Sequence, residues 1–277
     1  MHRLHIVKAV TEGGGGVRMK DVCLDVRSVT QVFRGGLTAV RNVSFQIPRG
    51  AFVSLLGPSG CGKSTLFNII AGLMTPTGGD VQLNGASVIG QTGRVGYMLQ
   101  KDLLLPWRTI EDNITISQTL HGVPRRKARR ECHALLARCG LEGFAHARPH
   151  ELSGGMRQRA ALMRTLMTGR EVLLLDEPFG ALDAITRLQL QMLLCDIWQE
   201  TGKTILLVTH DVDEALLLSD EIIVMSERPG TVRERLTVPH PRPRRPESLA
   251  EPDMAALKAK LMELLMQGSP EGEAVEA

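Results

Sequence analysis

The segment that most constrains the fold is "GPSGCGKST", residues 57–65. It satisfies the pattern G-x-x-x-x-G-K-[ST], whose glycines let backbone N–H groups wrap around phosphate groups. The apolar run "AFVSLLG" before it predicts a short buried strand, and "STLFNIIAGL" after it predicts a helix. A chance glycine turn is not expected in that setting, so we interpret the segment as a phosphate-binding loop. Its candidate residues are Gly57, Pro58, Ser59, Gly60, Cys61, Gly62, Lys63, Ser64 and Thr65.

Three side chains at the end of this loop have separate predicted roles. Lys63 can reach the β- and γ-phosphates of a nucleotide, Ser64 can ligate Mg²⁺, and Thr65 can support an α-phosphate oxygen. The sequence therefore predicts a nucleotide and a magnesium ion at this loop.

A second candidate for the same site is "VLLLDEP", residues 172–178. Its four apolar residues predict a strand buried on both faces, so Asp176 stands at the carboxyl end, where α/β sheets place their ligands. Asp176 can hold Mg²⁺ through water, and Glu177 can orient and deprotonate an attacking water. The alternative is that two adjacent acids only end a strand and cap the next turn. The phosphate-binding loop favours the catalytic interpretation.

Two further polar residues end predicted strands. His210 follows "LLVT", where it can contact the γ-phosphate and sense its loss, and Gln100 ends "VGYMLQ", where it can contact Mg²⁺ and water. Either residue alone is more typical of a structural role. Their functional interpretation depends on the other two motifs.

A second anion-binding feature occurs in "HELSGGMRQRAALMRTL". Ser153 is a candidate N-cap, and a helical pattern follows it. Gly154 and Gly155 have no side chains that would cover the backbone N–H groups. Free N–H groups at a helix N-terminus and the positive end of the helix dipole attract anions. The chain thus has two predicted phosphate-binding elements, which calls for an explanation.

The order of elements predicts the fold class and the domains. Apolar strands in "EVLLLDEP", "KTILLVTH" and "EIIVMS" alternate with helices, which predicts an α/β fold with a mainly parallel core sheet. Residues 22–50 and the hairpin "GDVQLNGASV" add an antiparallel β subdomain, and residues 101–165 an inserted helical one. We expect a flexible leader at 1–18, with Met19 a second candidate for the first residue, and one folded domain at 19–238. Residues 239–277 are expected to form a proline-rich linker, an amphipathic helix and an acidic tail.

Composition excludes several classes of protein. No apolar run approaches the roughly 20 residues of a membrane-spanning helix, and a net charge of +3 does not indicate nucleic-acid binding. The five cysteines form no CxxC pair, which favours free thiols in a reducing compartment. These observations predict a soluble cytosolic protein.

The segments "GPSGCGKST", "LSGGMRQR", "LLLDEPFGALD" and "VTHD" occur in this order. Together they resemble the ATP-binding cassette of ABC transporters, over about residues 22–236. The resemblance implies the P-loop NTPase fold of ABC ATPases, with ATP and Mg²⁺ as ligands. It further implies that residues 152–155 form the family's signature, Gln100 its glutamine loop, and His210 its switch histidine. Asp183 would belong to the D-loop "GALD", and Phe33 would stack on adenine, where the family commonly has tyrosine.

The resemblance also explains the two phosphate-binding elements. In this family two cassettes dimerise head to tail, and the signature of one binds the γ-phosphate held by the phosphate loop of the other. A chain with one cassette therefore implies a second ATPase subunit, a homodimer or a paralogue. It also implies a transmembrane permease, a solute-binding protein that acts through the permease, and a peripheral location at the cytoplasmic face of the inner membrane.

Finer similarity indicates the subfamily. The segments "MLQKDLLLPWRTIEDNI" and "THDVDEALLLSDEIIVMSERPG" are similar to importers of nitrate, sulfonate and taurine. The alternatives are an ATPase subunit for export or lipid traffic and a non-transport ABC ATPase. Repair ATPases of the family carry very long coiled coils between phosphate loop and signature, whereas about ninety residues intervene here.

Three weaker features have competing interpretations. The basic run "PRRKARR" predicts a solvated helix face rather than a contact to lipid or nucleic acid. The stripe Leu257, Leu261, Leu264 and Leu265 predicts packing on its own domain rather than a regulatory or dimer contact. Trp107 either lies in a docking groove for the permease or packs in the core of the helical subdomain.

Overall fold

The structure, a computed structural model, describes residues 22–180 and 182–266. The predicted leader and the acidic tail "GSPEGEAVEA" lie outside the described residues. The strands are β1 (Val22–Val32), β2 (Thr38–Pro48), β3 (Phe52–Leu56), β4 (Gly78–Leu83), β5 (Ala86–Ser87), β6 (Gly96–Met98), β7 (Val172–Asp176), β8 (Thr204–Thr209), β9 (Glu221–Met225) and β10 (Val232–Thr237). The helices are α1 (Lys63–Ile70), α2 (Ile110–Ile114), α3 (Ile116–Leu120), α4 (Arg125–Arg138), α5 (Gly154–Leu166), α6 (Ala184–Thr201), α7 (Val212–Leu218) and α8 (Pro252–Met266).

A six-stranded sheet forms the centre of the domain, in the order β10-β9-β3-β8-β7-β6. All of these strands are parallel except β10, which pairs antiparallel with β9. Every residue of β3, β7 and β8 is buried, as continuous apolar runs in a parallel sheet require. The predicted parallel core is confirmed. Because the carboxyl ends of parallel strands lie at the same edge of the sheet, the loops that follow β3, β6, β7 and β8 meet at that edge.

A second sheet of four antiparallel strands, β2-β1-β4-β5, confirms the predicted β subdomain. In β2 the apolar residues Val43, Phe45 and Ile47 are buried and alternate with more exposed polar residues. Because every second side chain of a strand points to the same side, one face of this sheet is directed toward the core. The predicted hairpin is formed by β4 and β5, with Leu83 paired to Ala86.

The helical insertion, α2 to α5, lies between β6 and β7. Its buried residues Ile114, Leu136 and Leu162 belong to the same apolar cluster as Leu173 of β7. The helical block therefore shares a core with the central sheet. Trp107 is 68% exposed, so the alternative that it packs in this core is wrong. The arginines and the lysine of "PRRKARR" are also exposed, as a solvated helix face requires.

The C-terminal helix α8 packs on α7 and β9, with Met254 and Leu261 fully buried. Leu257, Leu264 and Leu265 pack against the same cluster, which confirms that the leucine stripe packs on its own domain. The five cysteines are free thiols, as predicted. Within the described ranges, no helix has the length and apolar character needed to cross a membrane.

Candidate nucleotide-binding site

The glycine loop after β3 is shaped by a position that only glycine can occupy. Gly62 has φ +103° and is the N-cap of α1. A Cβ atom there would lie 2.5 Å from Val40 Cγ1 and 2.8 Å from the Ala39 carbonyl oxygen. The first N–H groups of a helix have no intrahelical acceptor, so this turn presents backbone donors and the helix dipole to an anion.

Lys63 lies at the centre of the loop and is only 7% exposed. Its Nζ donates to the carbonyl oxygens of Gly57, at 2.7 Å, and Pro58, at 2.8 Å. The loop backbone therefore fixes the ammonium group within the loop, and Lys63 also lines the adjoining cleft.

Asp176 ends β7 and is 4% exposed. Burial raises the pKa of its carboxyl group, and a hydrogen bond with the Ser64 hydroxyl opposes that rise. Two of the three side chains predicted to contact Mg²⁺, Ser64 and Asp176, are thus in contact with each other. A hydroxyl and a carboxylate oxygen fit Mg²⁺, which prefers hard oxygen ligands and keeps several waters.

Glu177, Gln100 and His210 converge on one point. Glu177 Oε2 accepts a hydrogen bond from Gln100 Nε2 at 3.0 Å, and Glu177 Oε1 lies 3.4 Å from His210 Nδ1. Glu177 has φ +47°, a conformation that is uncommon for residues other than glycine. Its backbone N–H donates to the Val208 carbonyl at 2.9 Å, which ties the turn to β8. This turn directs the carboxylate toward the cleft.

The phosphate loop, Gln100 and Glu177 line a cleft of about 330 Å³, whereas Asp176 and His210 are not among its lining residues. Phe33, 36% exposed, forms part of its wall, as expected for a residue that stacks on a base. Sequence reasoning missed Leu37 and Arg228, which also line the cleft. The signal for Arg228 was its position just after β9, whose carboxyl end reaches the same edge of the sheet. The lining residues are Phe33, Leu37, Ala39, Ser59, Gly60, Gly62, Lys63, Ser64, Thr65, Gln100, Glu177, Val208 and Arg228.

The second predicted phosphate-binding element is separate from this cleft. Ser153 is the N-cap of α5, and its Oγ accepts from the Met156 N–H at 3.3 Å, as predicted. Asp183 is the N-cap of α6, and its Oδ1 accepts from the Thr186 N–H at 3.0 Å. Among the described residues, the lining of the cleft includes none of Ser153, Gly154, Gly155 and Asp183.

Comparison with known proteins gives concordant results. The ABC transporter family matches residues 40–180. The taurine import ATP-binding protein TauB of Yersinia pestis bv. Antiqua (strain Antiqua) is 48% identical over 203 residues, 73% of this chain and 80% of the relative. The uncharacterized ABC transporter ATP-binding protein MJ0412 of Methanocaldococcus jannaschii is 44% identical over 230 residues, 82% of this chain and 86% of that protein.

Solved structures agree with this result. The dimeric post-hydrolysis structure of the ATP-binding cassette MJ0796 bound to ADP and Pi has a TM-score of 0.70 and 31% identity, covering 78% of this chain and 99% of that chain. A second dimeric structure of MJ0796 has a TM-score of 0.72, with the same identity and coverage.

Proposed function

The chain belongs to the ABC transporter family, and on that premise we propose that it is the ATP-hydrolysing subunit of an importer for a small solute of the nitrate, sulfonate or taurine type. The observation that carries this proposal is the meeting of a phosphate-binding loop with Asp176, Glu177 and His210 at one edge of the sheet. The taurine import proteins among the relatives support the direction of transport and the class of solute.

We assign each polar group a task in hydrolysis. The loop N–H groups and Lys63 bind the phosphates, while Ser64 and Asp176 hold Mg²⁺, whose charge offsets the negative charge that develops on the phosphates. Glu177 accepts the proton of the attacking water, while Gln100 and His210 orient the Glu177 carboxylate and contact the γ-phosphate. A general base of this kind contributes about 10²–10⁴-fold in rate.

The second phosphate-binding element completes the site of a second subunit. Ser153 and the N–H groups at Gly154 and Gly155 can bind the γ-phosphate held by the loop of a partner, and Asp183 can contact the same interface. The dimeric structures of related cassettes support this arrangement. We further propose that a permease docks at the exposed Trp107, that a solute-binding protein acts through the permease, and that the subunit lies at the cytoplasmic face of the membrane.

Complementation between two variants tests the proposed dimer. Lys63→Ala and Ser153→Arg subunits should each hydrolyse ATP poorly when pure. A mixed dimer would contain one site with both defects and one site with neither, so mixing should restore close to half of the wild-type ATPase activity per mixed dimer. The measurement is phosphate release at a series of mixing ratios. Loss of ATP binding by isolated Ser153→Arg monomers, or no recovery on mixing, would place the signature in the same site as the loop of its own chain.

Glu177→Gln tests the assigned chemistry. The variant keeps the size of the side chain and loses the base, so ATP binding should persist while turnover falls by about 100-fold or more. ATP-bound dimers should then accumulate and be visible by gel filtration. Near-normal phosphate release would refute the role of Glu177.

A further inference from the structure

Arg187 connects two loops of the proposed site, and the nucleotide-binding motifs do not include it. It lies one turn into α6, and its side chain extends back toward the helix N-terminus, as helical side chains do. Its Nη2 donates to the Leu182 carbonyl oxygen at 3.1 Å, and its Nη1 lies 3.6 Å from Asp211 Oδ2. One guanidinium group thus holds both the loop that ends at Asp183 and the loop that contains His210.

The His210 side of this connection is itself well ordered by hydrogen bonds. Asp211 is the N-cap of α7, and its Oδ1 accepts from the Glu214 N–H at 3.1 Å. Its own N–H donates to the Thr209 hydroxyl at 3.0 Å. These hydrogen bonds connect the Asp211 carboxylate to the turn that contains His210.

A small cavity of about 50 Å³ lies at the meeting point of these groups. Arg187 forms part of its wall together with Glu177 and His210. Arg187 therefore adjoins the same space as the proposed base and the switch histidine.

The ion pair that joins Arg187 to the His210 loop contributes little to folding stability. The ion pair with Asp211 is about one-third exposed on both sides, and such pairs contribute about 0–1 kcal/mol. The Nε–H is buried and has no acceptor among the described residues, a situation that costs about 1–3 kcal/mol. The charge of Arg187 also lowers the pKa of the buried Glu214 carboxyl group, which lines the same cavity.

We propose that Arg187 is a positioning residue for hydrolysis, which couples the loop at Asp183 to the orientation of His210 toward Glu177. Contact with a second subunit at Asp183 moves the Leu182 carbonyl, the guanidinium group follows, and the Asp211 carboxylate carries the movement to His210. Hydrolysis is thereby linked to dimer closure. This inference rests on the proposed function, since it concerns the same site.

The test is a double-mutant cycle on the ATPase rate of the full chain. Arg187→Met keeps the length of the side chain and removes its charge and donors, and Asp211→Asn removes the charge of its partner. Each should lower kcat by about tenfold, with KM for ATP within about twofold of wild type, because binding is untouched. The double variant should be no slower than the slower single variant, since both changes break one connection.

Two further variants and one background separate a positioning role from a structural one. Arg138→Met is the matched control. Arg138 pairs with Glu200 of α6 through its Nη1 and Nη2 atoms, each at 2.9 Å, and contacts neither loop among the described residues. The Arg138→Met variant should leave kcat unchanged. Arg187→Lys should recover part of the rate, since it restores the charge near Asp211. In a Glu177→Gln background, Arg187→Met should still form the ATP-bound dimer.

The outcomes distinguish this inference from the function on which it rests. If the wild-type chain does not hydrolyse ATP, the proposed function fails. If the wild-type chain does hydrolyse ATP, two results would refute only the coupling role. One is a kcat of Arg187→Met equal to that of Arg138→Met, and the other is a loss of kcat in Arg187→Met that simply adds to the loss in Asp211→Asn. Unfolding of both Arg187 variants, or a loss of kcat that follows a lowered melting temperature, would show a structural role and refute the coupling.

Discussion

Glu214 gives the chain a stability that depends on pH, and Glu214→Gln should remove this dependence. The side chain is 6% exposed on α7, and its Oε2 accepts a hydrogen bond from the Thr209 hydroxyl. Burial raises the pKa of Glu214 from 4.5 to about 7, and the hydrogen bond from Thr209 opposes this rise. The nearby carboxylate of Asp211 adds to it, whereas Arg187 lowers the pKa.

The sign and size of the effect follow from these pKa values. Between pH 4.5 and about 7 the folded chain holds a proton at Glu214 that the unfolded chain has lost, so the free energy of unfolding falls as pH rises through this window. At about 1.4 kcal/mol per pH unit the loss reaches about 3 kcal/mol above pH 7. Glutamine is uncharged and can still accept from Thr209. Glu214→Gln should therefore be more stable than wild type by up to about 3 kcal/mol at pH 8, and equally stable near pH 4.5.

Urea unfolding at several pH values between 5 and 8 measures this difference, with tryptophan fluorescence as the signal. Glu200→Gln is a suitable control, because Glu200 is exposed and its pKa is lowered by the hydrogen bond from Arg138. That control should not gain stability at high pH. A Glu214→Gln variant that is less stable than wild type at pH 8, or a difference that does not change with pH, would refute the argument.

Three other changes test the loop, the docking surface and the C-terminal helix. Gly62→Ala should weaken ATP binding by about tenfold or more, as measured by calorimetry. The Cβ of alanine would clash with Val40 and Ala39, and the backbone at this position has a positive φ. An unaltered affinity for ATP would contradict this prediction. Trp107→Ala should leave the melting temperature and the basal ATPase rate unchanged, because the ring is exposed. Pull-down of the permease and stimulation of the ATPase by solute should be lost. A lowered melting temperature would contradict the docking role. Leu261→Ala should lower the free energy of unfolding by about 2–5 kcal/mol in urea, because the side chain is fully buried; a loss below about 1 kcal/mol would show that α8 is not part of the folded core.

The sequence predicted the elements whose causes are local. The phosphate loop could be predicted because its glycines, Lys63 and the flanking apolar runs are contiguous in the chain. The meeting of Glu177, Gln100 and His210 could be predicted because each follows an apolar run that reads as a parallel strand, and such strands end at one edge. The hydrogen bond from Gln100 to Glu177 and the contact of His210 with Glu177 required only this shared edge.

Other contacts had no local cause. Arg187 bridges two loops that are separated by a strand and a helix. The reach of a long side chain across the fold leaves no periodicity in the sequence. The order of strands β3, β8 and β7 in the sheet could not be read from the chain either, because all three strands are buried apolar runs and their patterns do not say which edges pair.

The segment after β10 shows how composition can mislead. Its prolines and arginines predict a linker, yet in the structure it is bound closely to the end of α7. Arg242 lies 4.3 Å from the Trp198 ring and donates to the Leu218 carbonyl, while Arg244, 6% exposed, donates to the carbonyls of Leu216 and Ser219. These are carbonyls that the end of a helix leaves without intrahelical donors, and a cation there also meets the negative end of the helix dipole.

The two arginines thus have a structural reason to lie in this segment. Burial lowers the pKa of Arg244 to about 10, so it remains charged at neutral pH and keeps all of its donors. The helix that the arginines hold at its C-terminus is α7, which begins directly after His210 and Asp211. Because a short helix moves as a rigid unit, anchoring its C-terminal end limits the motion available to the turn at its N-terminal end. The proline-rich segment is therefore part of the structure that supports the turn containing His210, although it makes no contact with the cleft among the described residues.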